Sequence, residues 1–120
     1  MYRDEILDLY KNPLNEGKLE EGISREGENP SCGDHTHIYI QTENNKIKEI
    51  RHKSDGCAIS TAAISIVSEE LKGENIEEVI ELESDWITGK LGIDISPMRL
   101  KCALLGLDTV QKALKDHEEP

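Results

Sequence analysis

At 120 residues the chain has the length of one domain, and residues 1–120 are read as a single unit. With 36% hydrophobic residues, no Phe, one Trp and three Tyr, its core must be packed from Ile, Leu, Val and Ala. Twenty-five acids against fourteen Lys and Arg leave a net charge of −11, which repels a phosphate backbone and an anionic lipid surface and argues against nucleic acid and membrane as partners.

In chain order, Tyr2–Lys11 places Ile6, Leu7 and Tyr10 at helical spacing and stops at Asn12-Pro13, which predicts a short N-terminal helix. Leu14 to Asn29 is polar and punctuated by glycine, so a strand there is short and lies at a sheet edge. Beyond Asn29-Pro30, residues His37 to Gln41 alternate with period two up to a Glu43-Asn44-Asn45 turn, and Lys46 to His52 returns. Ile38 and Ile40 form the buried face, with His37, Tyr39 and Gln41 on the other. His35 and His37 read as residues of a half-exposed strand rather than as metal ligands, and His52 and His117 as surface residues.

After Asp55-Gly56 the period lengthens. Ile59, Ala62, Ala63, Ile66, Val67 and Leu71 mark an amphipathic helix ended by Lys72-Gly73. A second helix is expected over Ile76–Thr88, with Ile76, Val79, Ile80, Trp86 and Ile87 inward. A third begins at Ser96-Pro97 and carries Leu100, Ala103, Leu104, Leu107, Val110 and Leu114. Gly106 within it costs about 1 kcal/mol relative to Ala, and a close packing contact is the simplest reason to keep it. Strands first and helices later, without βαβ alternation, predict an α+β fold: a small antiparallel sheet of about three strands covered on one face by helices. The run Glu69–Asp85, with eight acids and one base, reads as a solvated face.

The chain opens MYRDEILDLY, without the basic and apolar blocks of a signal peptide, and its longest apolar-leaning run is too short to span a bilayer. A cytoplasmic protein with reduced thiols is expected. Its three cysteines, Cys32, Cys57 and Cys102, are separated by 25 and 45 positions, so no Cys-x-x-Cys pair is present. Their settings are more telling than their spacing. Cys32 lies in a polar loop before Gly33-Asp34. Cys57 opens a helix, where unpaired N–H groups favour a thiolate. Cys102 lies early in the last helix between Arg99, Lys101 and the following turns, and those cations are expected to lower its pKa. Three sulfurs with Asp34 make a four-ligand set suited to zinc or an iron–sulfur cluster.

The phrases Asn29-Pro30-Ser31-Cys32-Gly33-Asp34, Gly56-Cys57-Ala58-Ile59-Ser60 and Pro97-Met98-Arg99-Leu100-Lys101-Cys102 together resemble the IscU/SufU scaffold family, which includes the N-terminal domain of NifU. The resemblance implies a SufE/NifU-like α+β fold on which a labile [2Fe–2S] cluster is assembled from iron and desulfurase-derived sulfur and transferred to apoproteins. It implies Cys32, Asp34, Cys57 and Cys102 as ligands, with zinc as an alternative occupant, and a cysteine desulfurase and apo iron–sulfur acceptors as partners. Cys102 is expected to accept persulfide, tuned by Lys101 and Arg99. Whether the chain acts as a monomer or a homo-oligomer stays open.

The chain is a hybrid within that family. Lys101 stands before the third cysteine as in SufU members, where IscU members have His, and SufU members act as zinc-dependent sulfurtransferases. Yet the 45-residue separation leaves no room for the insertion of about twenty residues that SufU members carry, as in IscU. The Leu-Pro-Pro-Val-Lys phrase through which IscU members engage an Hsp70 is replaced by Ile95-Ser96-Pro97-Met98-Arg99.

Overall fold

The computed structural model describes residues 4–118. Three strands, β1 (Ile23–Asn29), β2 (Asp34–Glu43) and β3 (Lys46–Asp55), form an antiparallel sheet in the order β1-β2-β3, with β1 at an edge as its polar sequence implies. The β2–β3 hairpin turns on Asn44 and Asn45, both at positive φ (54° and 63°), a conformation asparagine tolerates better than most residues. Ile38, Ile40, Ile47 and Ile50 project from one face into the core, while His35, His37 and Tyr39 line the other. Among the described residues there are also five helices, α1 (Asp4–Lys11), α2 (Ala58–Glu70), α3 (Ile76–Ile80), α4 (Ser84–Leu91) and α5 (Pro97–Glu118), of which α2 and α5 pack on the sheet. The α+β architecture therefore stands as expected. Among the described residues, no helix is long and apolar enough to cross a membrane.

Several local expectations change. The helix α2 is buried nearly all round, Ser60, Thr61, Ser65 and Ser68 included, because the sheet, α1, α4 and α5 surround it; it is a central helix rather than an amphipathic one. The helix expected over Ile76–Thr88 is two helices, broken at Glu81–Glu83. The Gln111 side-chain amide nitrogen lies 3.0, 3.3 and 2.8 Å from the carbonyl oxygens of Val79, Ile80 and Leu82, so its two N–H groups are shared among acceptors that the break frees. In α1 the buried residue is Ile6, whereas Leu7 and Tyr10 are exposed; Tyr2 lies outside the described residues. Leu100 is likewise exposed, and Trp86, expected inward, is half-buried at the edge of the core with the Lys90 ammonium over its ring.

His52 is the largest departure. It is fully buried, not a surface residue. Its Nε2 lies 2.8 Å from the Leu14 carbonyl oxygen and its Nδ1 2.8 Å from Ser54 Oγ. A carbonyl can only accept, so Nε2 carries the proton and the neutral ring accepts at Nδ1 from the Ser54 hydroxyl. Burial lowers its pKa from the ordinary 6.5, against the opposing pull of the Leu14 carbonyl and Glu16.

Gly106 meets the requirement read from sequence. A β-carbon there would stand 2.8 Å from Ile64 Cδ1 and 3.1 Å from Ile64 Cα, so its absence lets α5 close on α2.

Candidate metal or cluster centre

The site forms where β1 hands over to β2 and where α2 and α5 begin. Asn29 and Asp34 are the last paired residues of the β1–β2 hairpin. Between them runs a tight turn in which the Cys32 amide donates to the Asn29 carbonyl at 3.1 Å and Gly33 takes a φ of 72°. That turn leaves Cys32 exposed at the rim while Asp34 points inward and is buried. Cys102, on the sixth residue of α5, is fully buried beneath them. One ligand atom from each of Cys32, Asp34 and Cys102 lies within 4.8 Å of the others. Metal ligands at 2.0–2.3 Å from a common ion are spaced this closely or slightly closer, so these residue types and positions fit a metal or cluster.

Cys57 flanks this triad as the N-cap of α2. Its sulfur accepts from the Ser60 amide at 3.5 Å, so a free N–H of the helix start points at the thiol, as its position after Gly56 implied. Cys57 falls outside the tight group of three, but it interacts with Cys102. Asp34 joins the two halves of the site. Its Oδ1 accepts from the Cys57 amide at 3.0 Å and from Ser60 Oγ at 3.3 Å, and its Oδ2 from Asn29 Nδ2 at 3.4 Å. The same Asn29 amide lies 3.6 Å from Cys102 Sγ.

The cations expected to tune Cys102 do not govern it. Burial, then hydrogen bonding to Asp34, Cys32 and Cys57, pushes the Cys102 thiol well above its ordinary value. Lys101 and Arg99 are both exposed. Lys101 neighbours Cys102 in sequence but points elsewhere, since adjacent residues on a helix stand about 100° apart around its axis. Cys102 is thus a buried thiol with a raised pKa, and activation by neighbouring cations does not support taking it as the first persulfide acceptor. His35 and His37 lie on the opposite face of β2 from Asp34, consistent with the half-exposed strand role.

Sequence reasoning missed Asn29, Ser60 and Gly56. Asn29 opens the first of the three motifs, where nothing assigns it a role, yet it is buried and spans Asp34 and Cys102. A β-carbon on Gly56 would stand 2.5 Å from Asp34 Oδ1 and 2.8 Å from Ser60 Oγ. The available signal for Asn29 was a polar residue facing Asp34 across the short Pro-Ser-Cys-Gly turn; nothing local marked Ser60.

The chain is similar to known proteins over nearly its whole length. It is 35% identical over 119 residues to the iron–sulfur cluster assembly scaffold protein IscU 1 of Archaeoglobus fulgidus, covering 98% of this chain and 76% of that one. It is 30% identical over 135 aligned positions to the zinc-dependent sulfurtransferase SufU of Bacillus subtilis, covering 98% and 92%. The crystal structure of a candidate SUF-system scaffold from Fervidobacterium islandicum AW-1 superposes with a TM-score of 0.79 at 28% identity, covering 94% of this chain and 96% of that one. The model of the NifU-like N-terminal domain matches residues 1–120, and with it this chain belongs to that family.

Proposed function

We propose that the chain is a scaffold on which an iron–sulfur cluster is assembled and from which it is passed to apoproteins, with Cys32, Asp34, Cys57 and Cys102 as ligands. The observation that carries this reading is the meeting of Cys32, Asp34 and Cys102 within 4.8 Å beside the Cys57 helix start, at a rim where one thiol is exposed. Similarity to a scaffold protein of Archaeoglobus fulgidus supports it. Three sulfurs and one oxygen suit a [2Fe–2S] cluster that has to leave again, since a carboxylate is a harder and weaker partner for sulfide-bridged iron than a thiolate.

Sulfur comes from the persulfide of a cysteine desulfurase. The Cys32 thiolate attacks the terminal sulfur, the donor's S–S bond breaks, and the donor cysteine leaves as a thiolate. Exposure makes Cys32, rather than buried Cys102, the first acceptor. Two electrons from a separate reductant then bring each transferred sulfur to sulfide. On this reading residues 1–120 work as one cytoplasmic domain, with apo iron–sulfur proteins as acceptors.

The second reading is a zinc-bound sulfurtransferase. It is favoured by Lys101 before the third cysteine and by similarity to the zinc-dependent enzyme of Bacillus subtilis. Anaerobic reconstitution with iron, cysteine and a desulfurase, followed by visible absorption and metal analysis, separates the two. The scaffold reading expects a bound cluster that moves to an apoprotein. Tightly held zinc with sulfur-acceptor activity and no cluster would replace it with the second reading.

A further inference from the structure

On the outer face of the sheet, turned away from the cysteines, a different set of ligating groups converges. His35 and His37 are two residues apart on β2 and therefore project to the same side. Glu26 of β1 sits directly opposite His37 and diagonal to His35. One atom, Glu26 Oε1, lies 3.4 Å from His35 Nε2 and 3.9 Å from His37 Nδ1. Two ligands held about 2.1 Å from a tetrahedral ion stand about 3.4 Å apart, so the His35 spacing matches a coordination shell and the His37 spacing is about half an ångström wider.

The neighbouring charges are mixed, acids beside His35 and a lysine beside His37. In register, Glu28 and Asp55 flank His35 from the two neighbouring strands, while Lys53 opposes His37. The imidazoles also line a depression of about 360 Å³ with Glu16, Lys18, Tyr39, Lys53, Ser54 and Asp55, a lining that does not include Glu26. Tyr39 stacks on His37 with ring centroids 4.5 Å apart and its hydroxyl 3.3 Å from Nδ1, which holds the ring beside Glu26. The two imidazoles and the carboxylate are not mutually as close as ligands of one ion, so binding swings the half-exposed rings together, displacing the Tyr39 hydroxyl if Nδ1 ligates.

We propose that His35, His37 and Glu26 form a second, thiol-free site for a divalent transition-metal ion of the zinc and ferrous class. Two imidazoles and one carboxylate on one face are a donor set such ions take, with water in the remaining positions. The site goes beyond the proposed scaffold role and does not depend on it.

The test is a cobalt(II) titration of protein whose cysteine site already holds one equivalent of zinc, which cobalt does not readily displace. A second equivalent is expected to bind with weak visible bands of nitrogen and oxygen ligation and without a thiolate-to-cobalt charge-transfer band. His35→Ala and His37→Ala should each weaken that equivalent by at least about tenfold and leave the zinc in place, whereas His117→Ala should change neither. In the unaltered protein, paramagnetic broadening should strike the His35 and His37 ring resonances before that of His117. No second equivalent, an equivalent insensitive to both substitutions, or broadening that spares these two rings would overturn the site and leave an ordinary pairing of Glu26 with two imidazoles.

Discussion

Asn29 donates its side-chain amide to Asp34 Oδ2 at 3.4 Å across the last rung of the β1–β2 hairpin, and the same amide reaches Cys102 Sγ at 3.6 Å. One neutral donor thereby spans two of the proposed ligands. Asn29→Ala should leave a buried carboxylate oxygen short of a partner and destabilise the metal-free protein by about 1–3 kcal/mol. The measurement is denaturant unfolding. A metal held by Asp34 would offset the missing partner, so the deficit should shrink in the zinc-loaded protein; equal losses in both states would show that Asn29 has no part in holding the ligands.

Asp34→Ala has two opposed consequences. It removes the acceptor for the Cys57 amide, Ser60 Oγ and Asn29 Nδ2 together, so the metal-free domain should lose at least about 1–3 kcal/mol. It also removes the one oxygen of the proposed set, so a reconstituted cluster should persist longer and transfer more slowly. Thermal unfolding of the apoprotein and decay of visible absorption after reconstitution read the two effects separately. An unchanged cluster lifetime would take Asp34 out of the ligand set.

Much of this arrangement could be read from sequence. Period two over His37–Gln41, the Asn44-Asn45 turn and Pro97 at a helix start each report a local preference that the fold keeps. Glycine and cysteine in the three motifs likewise placed a turn and two helix starts at one end of the sheet. What escaped was decided by distant partners. His52 is buried because the Leu14 carbonyl, from a segment whose polar, glycine-punctuated sequence predicts only a short edge strand, meets its ring. The break at Glu81–Glu83 depends on Gln111, about thirty residues later. Cys102 looked activated because Lys101 precedes it, yet the helix turns the two apart and hairpin closure buries the thiol under Asp34.

Thiol reactivity should follow that burial. In metal-free protein, iodoacetamide should label exposed Cys32 first, half-buried Cys57 more slowly and Cys102 last, since Cys102 is buried and burial raises its thiol pKa. Peptide mass analysis over a time course gives the order. Early labelling of Cys102 would restore it as a candidate first acceptor of sulfur.

Gly106→Ala sets helix propensity against packing. Alanine gains about 1 kcal/mol in a helix interior. Its methyl would press on Ile64 at Cα as well as at the movable Cδ1, and overpacking costs typically about 1–3 kcal/mol. Because a backbone atom of the central helix is part of the contact, relief requires α5 to move off α2, and the net effect should be a lower melting temperature. A higher one would mean that rotation of Ile64 relieves the contact unaided.

His52 should make stability depend on pH. The ring is buried neutral, and its folded-state pKa lies below the ordinary 6.5. Between those two values the unfolded chain binds a proton that the folded chain does not, so acidification favours unfolding. The contribution is therefore complete above pH 6.5, falls as pH drops below it, and levels off once the folded-state pKa is passed. Glu16, whose charge raises that pKa, and Lys53, which lowers it, are the charged groups acting on the ring. In His52→Gln this component of the slope should vanish, although the variant loses stability at every pH through altered packing against Leu14. Denaturant unfolding at intervals from pH 5 to 8 measures both, and an unaltered slope in the variant would assign the acid sensitivity to another group.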